Sequence, residues 1–186
     1  WVGRSVPSQV IGLSGVVAIA SGSNGYNLAL KSDGTVWSVL GPLASYQVPS
    51  LTGVVAVAVG ESHALAVKRD GTVWEWSGVD SAPEQVSGLS SVAAVAVAFE
   101  WWDWSGDFSV IRSLALKRDG TVWAWDGAWY SRSAPVQVSE LAGITAIAAG
   151  EISLALKDDG TVWRWNEAAT ERPAPVQVSG LAGVTA

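Results

Sequence analysis

Asp33-Gly34-Thr35-Val36-Trp37 recurs as Asp70–Trp74, Asp119–Trp123 and Asp159–Trp163, and these four copies decide how the chain folds. Ahead of each lies a leucine- and alanine-rich segment that ends in lysine, such as Leu28-Ala29-Leu30-Lys31 or Leu154-Ala155-Leu156-Lys157. An apolar strand, a tight turn and a second strand carrying the tryptophan make a β-hairpin. The Asp-Gly pair predicts a two-residue type I′ turn, whose central positions both need positive φ; Gly adopts it freely and Asp tolerates it.

A second segment recurs between the hairpins: an apolar run after a leucine-containing turn. It reads Gly12-Leu13-Ser14-Gly15-Val16-Val17-Ala18-Ile19-Ala20 first, and returns at 50–58, 88–96 and 140–148, with a partial copy at 180–186. A short Pro/Gln/Val element precedes each copy, as at Pro83–Val86, Pro135–Val138 and Pro175–Val178. One unit therefore holds four short strands, and the turn glycines Gly34, Gly71, Gly120 and Gly160 set a period near 40 residues. That period, with four strands and a Gly/Trp signature, predicts an all-β propeller or propeller segment. The units span about 11–48, 49–86, 87–138 and 139–178, with partial-blade strands at 1–10 and 179–186 forming a split fifth.

The pattern also assigns places within a blade. Small residues of the first strand suit the crowded hub, and large ones belong further out. Trp74/Trp76, Trp123/Trp125 and Trp163/Trp165 are spaced i and i+2, so each pair shares a face and is expected to wedge between blades. The first unit keeps Trp37 but has Val39 at the second tryptophan position.

Composition narrows the function. At 49% hydrophobic and 15% charged, the 186 residues read as a folded array and not as a disordered chain. The net charge of −6, with no Lys/Arg cluster, argues against nucleic acid as a partner. With no cysteine, there is neither a disulfide framework nor a thiolate metal site. The longest apolar run, Val92–Phe99, has the length of one strand and falls far short of the roughly 18 residues of a membrane-spanning helix, so no membrane insertion is expected. The chain opens on Trp1 and contains no Met, which reads as a removed leader or as part of a longer product.

The run Gly-Val-x-Ala-Ile-Ala-x-Gly, then Ser/His-x-Leu-Ala-Leu-Lys-x-Asp-Gly-Thr-Val-Trp-x-Trp, then Pro-Val-Gln-Val, resembles the RCC1-type propeller repeat in its bacterial form. Gly60, His63, Leu65, Asp70, Gly71, Val73 and Trp74 carry the match in the second unit, and Gly150, Leu154, Asp159, Gly160, Val162 and Trp163 in the fourth. The loop after the second tryptophan departs from the family, with Trp76-Ser77-Gly78 and Trp125-Asp126-Gly127 as remnants. The resemblance implies rings of about seven blades, against four units here. Loop residues through which eukaryotic members act on small GTPases have no match, so neither nucleotide exchange nor chromatin binding is carried over.

Exposed strand edges at the ends of such an array invite pairing with another chain. The ring is then completed by a second copy or by more of a longer polypeptide; a closed four-bladed ring is the third option.

The third unit carries an eleven-residue insertion between its first two strands, containing Phe99, Glu100, Trp101, Trp102, Asp103, Trp104 and Asp107. Exposed indoles beside carboxylates suit a glycan, and Trp is also a favoured anchor of protein interfaces. The bland alternative is a loop packed back on the protein. Trp129-Tyr130 forms a second candidate binding pair. Glu100, Asp103 and Asp107 are close enough in sequence to raise glycoside hydrolysis as a minor reading. His63, the single histidine, is expected to make a structural hydrogen bond, and no spacing suits zinc. The turn aspartates Asp33, Asp70, Asp119 and Asp159 are explained by turn chemistry, with lysines such as Lys31 and Lys117 nearby to pair with them or to cover the strand edge.

The sequence thus predicts a non-enzymatic scaffold without cofactor or metal. It self-associates through blade edges and the Trp-rich loop, or alternatively acts as a monomeric module for another protein or a cell-surface glycan. An extracellular or cell-surface location is expected, with cytoplasmic as the alternative.

Overall fold

The computed structural model describes residues 7–22, 25–41, 44–60, 63–78, 81–99, 111–126, 133–166, 174–181 and 183–185. They form four blades, each a four-stranded antiparallel sheet. The first comprises β1 (Val16–Ser21), β2 (Asn27–Lys31), β3 (Val36–Gly41) and β4 (Ala44–Gln47). The second comprises β5 (Val54–Val59), β6 (His63–Lys68), β7 (Val73–Ser77) and β8 (Glu84–Gln85). The third comprises β9 (Val92–Phe99), β10 (Ile111–Lys117), β11 (Val122–Asp126) and β12 (Val136–Gln137). The fourth comprises β13 (Ile144–Ala148), β14 (Ser153–Lys157), β15 (Val162–Trp165) and β16 (Val176–Gln177). Strands pair in chain order within every blade, as the repeat predicts. Neither 7–10 nor 183–185 forms a strand, although Val184 N–H still bonds Gly160 O at 3.2 Å, continuing the linkage found between blades.

The alternation along each strand explains the stacking. In the second strand, one face carries Leu65 and Val67 and the other Ala64 and Ala66, all fully buried, because a blade lies on either side. First strands of adjacent blades touch one another and form the hub. The glycine after the first strand is a steric requirement there: a Cβ on Gly22 would lie 1.7 Å from the Gly60 carbonyl oxygen of the next blade. A register shift recurs at the start of each inner pair, between Val16/Ala18, Val54/Ala56, Leu116/Lys117 and Ile144/Ala146. Such bulges increase local twist, which fans the sheets.

The hairpin turn differs from the two-residue type I′ expectation. Among the turn residues only the glycine has positive φ (Gly34 +81°, Gly71 +82°), while the aspartates do not. Gly34 N–H bonds Lys31 O at 2.9 Å and Lys31 N–H bonds Thr35 O at 3.0 Å, so the loop holds three residues, 32–34. This is a turn followed by a left-handed residue. Asp33 is used differently: its Oδ1 accepts from Thr35 N–H at 3.0 Å and from Thr35 Oγ1 at 2.6 Å. Thr35 Oγ1 in turn accepts from Trp37 Nε1 at 3.1 Å. The relay from Trp to Thr to Asp repeats in all four blades. The preceding lysine lies over the same indole, closest at Lys68 with 3.9 Å to the Trp74 ring centre. Lys31 and Lys157 also approach their turn aspartates at 3.7 and 4.0 Å.

The turns fasten blades together as well. Arg69 N–H bonds Gly53 O at 2.8 Å, and Val92 N–H of the third blade bonds Gly71 O at 3.1 Å. Matching pairs join Gly34 to Val54 and Gly120 to Ile144. Each Asp-Gly turn therefore clasps its own blade to the next.

Among the described residues, three cores lie between blades. Tyr26, Leu28, Leu30 and Val36 of the first blade meet Ala64, Ala66 and Trp76 of the second. Leu65, Val67 and Val73 meet Ala115 and Trp125. Leu114, Leu116 and Val122 meet Ala155 and Trp165. The paired tryptophans wedge between blades as the i, i+2 spacing predicts.

Candidate functional site

Of the residues singled out in the sequence, Glu100, Trp101, Trp102, Asp103, Trp104, Asp107, Trp129 and Tyr130 lie outside the described residues. Phe99 ends β9 and pairs in register with Ile111. The third blade's inner hairpin is thereby longer than the others, with strands of eight and seven residues. Among the described residues no group of three or more His, Cys, Asp or Glu is placed to hold a metal ion. No helix among them is long and apolar enough to cross a membrane.

The turn aspartates are committed to the fold. Hydrogen bonds from the Thr hydroxyl and amide, with the nearby lysine charge a lesser cause, hold the carboxyls of Asp33, Asp70, Asp119 and Asp159 below the ordinary aspartate value.

The position that opens the second strand builds a polar bridge to the next blade. Tyr26 donates to Gly78 O at 3.2 Å, and burial pushes its phenol far above the ordinary value, so it stays a neutral donor. His63, buried as its structural reading requires, lies between Ser77 Oγ and Ser113 Oγ, each 3.4 Å from a ring nitrogen. Its Nε2 is 3.7 Å from Glu75 Oε2, which accepts from Trp125 Nε1 of the third blade at 3.1 Å. Arg112 directs Nη1 to Asn166 Oδ1 of the fourth blade at 3.4 Å. The fourth member of this series is Ile152, and no described blade follows it.

Among the described residues, one face of the first blade and one of the fourth have no neighbouring blade against them. Ile19 corresponds to Val57, Val95 and Ile147, which are packed into the three cores; Ile19 is 82% exposed. At the other end, Leu154 corresponds to Leu28, Leu65 and Leu114, none above 1% exposed; Leu154 is 39% exposed. Ile152 is 43% exposed where Tyr26, His63 and Arg112 are buried. The open surfaces are thus blade faces as well as the strand edges that the sequence suggests.

Each face also carries a departure from the repeat in its third strand. On the first blade a hollow of about 410 Å³ is lined by Ile19, Asn27, Leu28 and Val39. Val39 stands where Trp76, Trp125 and Trp165 fill the corresponding space in later blades. On the fourth blade the exposed Arg164 takes the place of the buried Ser38, Glu75 and Ala124. It lies directly opposite Leu154 in the sheet and lines a shallow depression with Ile152 and Trp165. Sequence reasoning registered Val39 as a missing tryptophan but missed Arg164. Its signal was a long cationic side chain at a position otherwise occupied by Ser38, Glu75 or Ala124.

No protein-family model matches the chain, and no curated protein matches it in sequence. Solved structures do. Human WBSCR16 superposes with a TM-score of 0.64 at 18% identity, over 88% of this chain and 52% of that one. Prp20p of Saccharomyces cerevisiae gives 0.67 at 16% identity, over 92% and 52%. Yeast RCC1 (Prp20) bound to Kap60 gives 0.63 at 17% identity, over 88% and 49%. The chain spans about half the length of each. These likenesses agree with the RCC1-type repeat read in the sequence. The chain has the RCC1-type propeller fold and represents four blades of it.

Proposed function

We propose that this chain is a non-enzymatic propeller scaffold that assembles with itself, the open faces of its first and fourth blades serving as subunit contacts. The observation that supports this is the contrast between equivalent positions: Leu154 is 39% exposed while Leu65 and Leu114 are fully covered by the next blade. Full burial of a Leu or Ile side chain contributes about 1.5–3 kcal/mol, so each face offers several such contributions once covered. Exposed contiguous apolar surface of this kind marks an interaction site.

Light scattering of the purified 186-residue chain over a dilution series tests this. Association at the concentrated end is expected. A mass of 19.3 kDa at every concentration would overturn it.

A further inference from the structure

We infer that the seam between the second and third blades is a proton-controlled latch: His63 carries a proton in the folded protein at neutral pH, and its loss in mild alkali loosens that seam. The inference concerns a contact inside the chain and is independent of self-association.

The position that opens the second strand closes each seam with a different chemistry. At the first seam Tyr26 donates to Gly78 O at 3.2 Å, and its phenol, pushed far above the ordinary value by burial, stays neutral through mild alkali. At the third seam Arg112 directs Nη1 to Asn166 Oδ1 at 3.4 Å, and a guanidinium does not lose its proton in a protein. At the second stands His63, the single histidine of the chain and the side-chain type whose charge changes near neutrality.

The surroundings of His63 decide which form is held. Its ring is buried, and burial by itself favours the neutral imidazole. Against that stands Glu75, also buried, whose Oε2 lies 3.7 Å from Nε2 and accepts from Trp125 Nε1 of the third blade at 3.1 Å. A buried negative charge is costly unless a positive one balances it, and a protonated His63 supplies one at that distance. Both ring nitrogens of the protonated form are donors, and each has an acceptor at hand. Ser77 Oγ lies 3.4 Å from Nδ1, and Ser113 Oγ lies 3.4 Å from Nε2. Removing the proton would leave the Glu75 carboxylate buried without that balance, which costs more than burying the pair.

Among the described residues, the other charged groups of the packed strands face elsewhere. Glu84 pairs with Glu75 across the sheet but is exposed. Arg112 and Asp126 pair in register on the third blade, on the side from which Arg112 reaches the fourth. Lys68 lies at the far end of β6, and β5 and β9 contribute only apolar side chains. A histidine that the fold holds protonated adds stability that is complete below its unfolded-state value of about 6.5. That stability is lost as pH rises through the folded-state value.

With one histidine in the chain, nuclear magnetic resonance of histidine-labelled protein, titrated from mild acid to mild alkali, reads this group without assignment. The wild-type ring should remain protonated at neutral pH, with a midpoint above about 7. The Trp125 indole N–H signal, identified by its loss in Trp125→Phe, should shift with the same midpoint. Glu75→Gln keeps an acceptor for that indole but removes the charge, and should weaken the hold on the proton about tenfold or more, one unit of midpoint. Urea unfolding of the wild type should weaken from neutrality into mild alkali, and that decline should be largely absent in Glu75→Gln. A neutral wild-type ring at neutral pH overturns the inference, and this result needs no variant to fold. A folded Glu75→Gln with an unchanged midpoint, or a Trp125 signal that ignores the titration, overturns it as well.

Discussion

Trp125 Nε1 of the third blade donates to Glu75 Oε2 of the second at 3.1 Å, with both side chains buried between the two sheets. A carboxylate in such a place is tolerated only when it is hydrogen-bonded, and His63 lies alongside at 3.7 Å. Trp125→Phe removes the donor and leaves part of the space of the indole empty. Losing one partner of a buried hydrogen bond costs about 1–3 kcal/mol and the smaller ring adds a cavity cost, so urea unfolding of this variant should show a loss of at least about 1 kcal/mol. An unchanged midpoint would separate this contact from stability.

The Asp-Gly turn makes a second prediction. Gly71 has φ +82°, and a Cβ there would lie 2.8 Å from the backbone of Ser91 in the next blade. Gly88 has φ +80° with nothing within 4 Å. Gly88→Ala should therefore cost only the left-handed backbone term of roughly 1–2 kcal/mol. Gly71→Ala adds a backbone clash and should cost clearly more. Thermal melts of the two variants compare them directly.

Acid sensitivity follows from the Thr-to-Asp relay. Asp33, Asp70, Asp119 and Asp159 have folded-state values below the ordinary one of about 3.9. A depressed carboxyl stabilises the fold above the unfolded-state value, and that contribution disappears as pH falls through the folded-state value. Stability should be flat with respect to these groups from neutrality down to about pH 5 and decline below about pH 4. Thr72→Val removes the hydroxyl that bonds Asp70 Oδ1 at 2.7 Å, so its decline should be shallower and its stability at neutral pH lower. Urea titrations at pH 7, 5 and 3 read both effects.

Much of this was legible in the sequence, and the exceptions have physical causes. Four strands per unit, alanine-rich hub strands and indoles between sheets are local or periodic properties, written in residues such as Ala66, Trp74 and Trp76. The turn was misread because Asp-Gly fits two loops. Which one forms depends on Lys31 pairing with Thr35, and on Asp33 spending its carboxylate on Thr35 instead of adopting positive φ. The open faces were invisible because Leu154 and Leu114 sit in the same local sequence; only the presence or absence of a neighbouring sheet distinguishes them. The Trp-rich segment remains the strongest sequence signal outside the described residues.

The count of copies in the native particle tests the central claim most directly. Native mass spectrometry of the wild-type chain should give species heavier than the 19.3 kDa of one copy at the concentrated end of a dilution series. A 19.3 kDa monomer at every concentration would contradict a scaffold that assembles through its open blade faces.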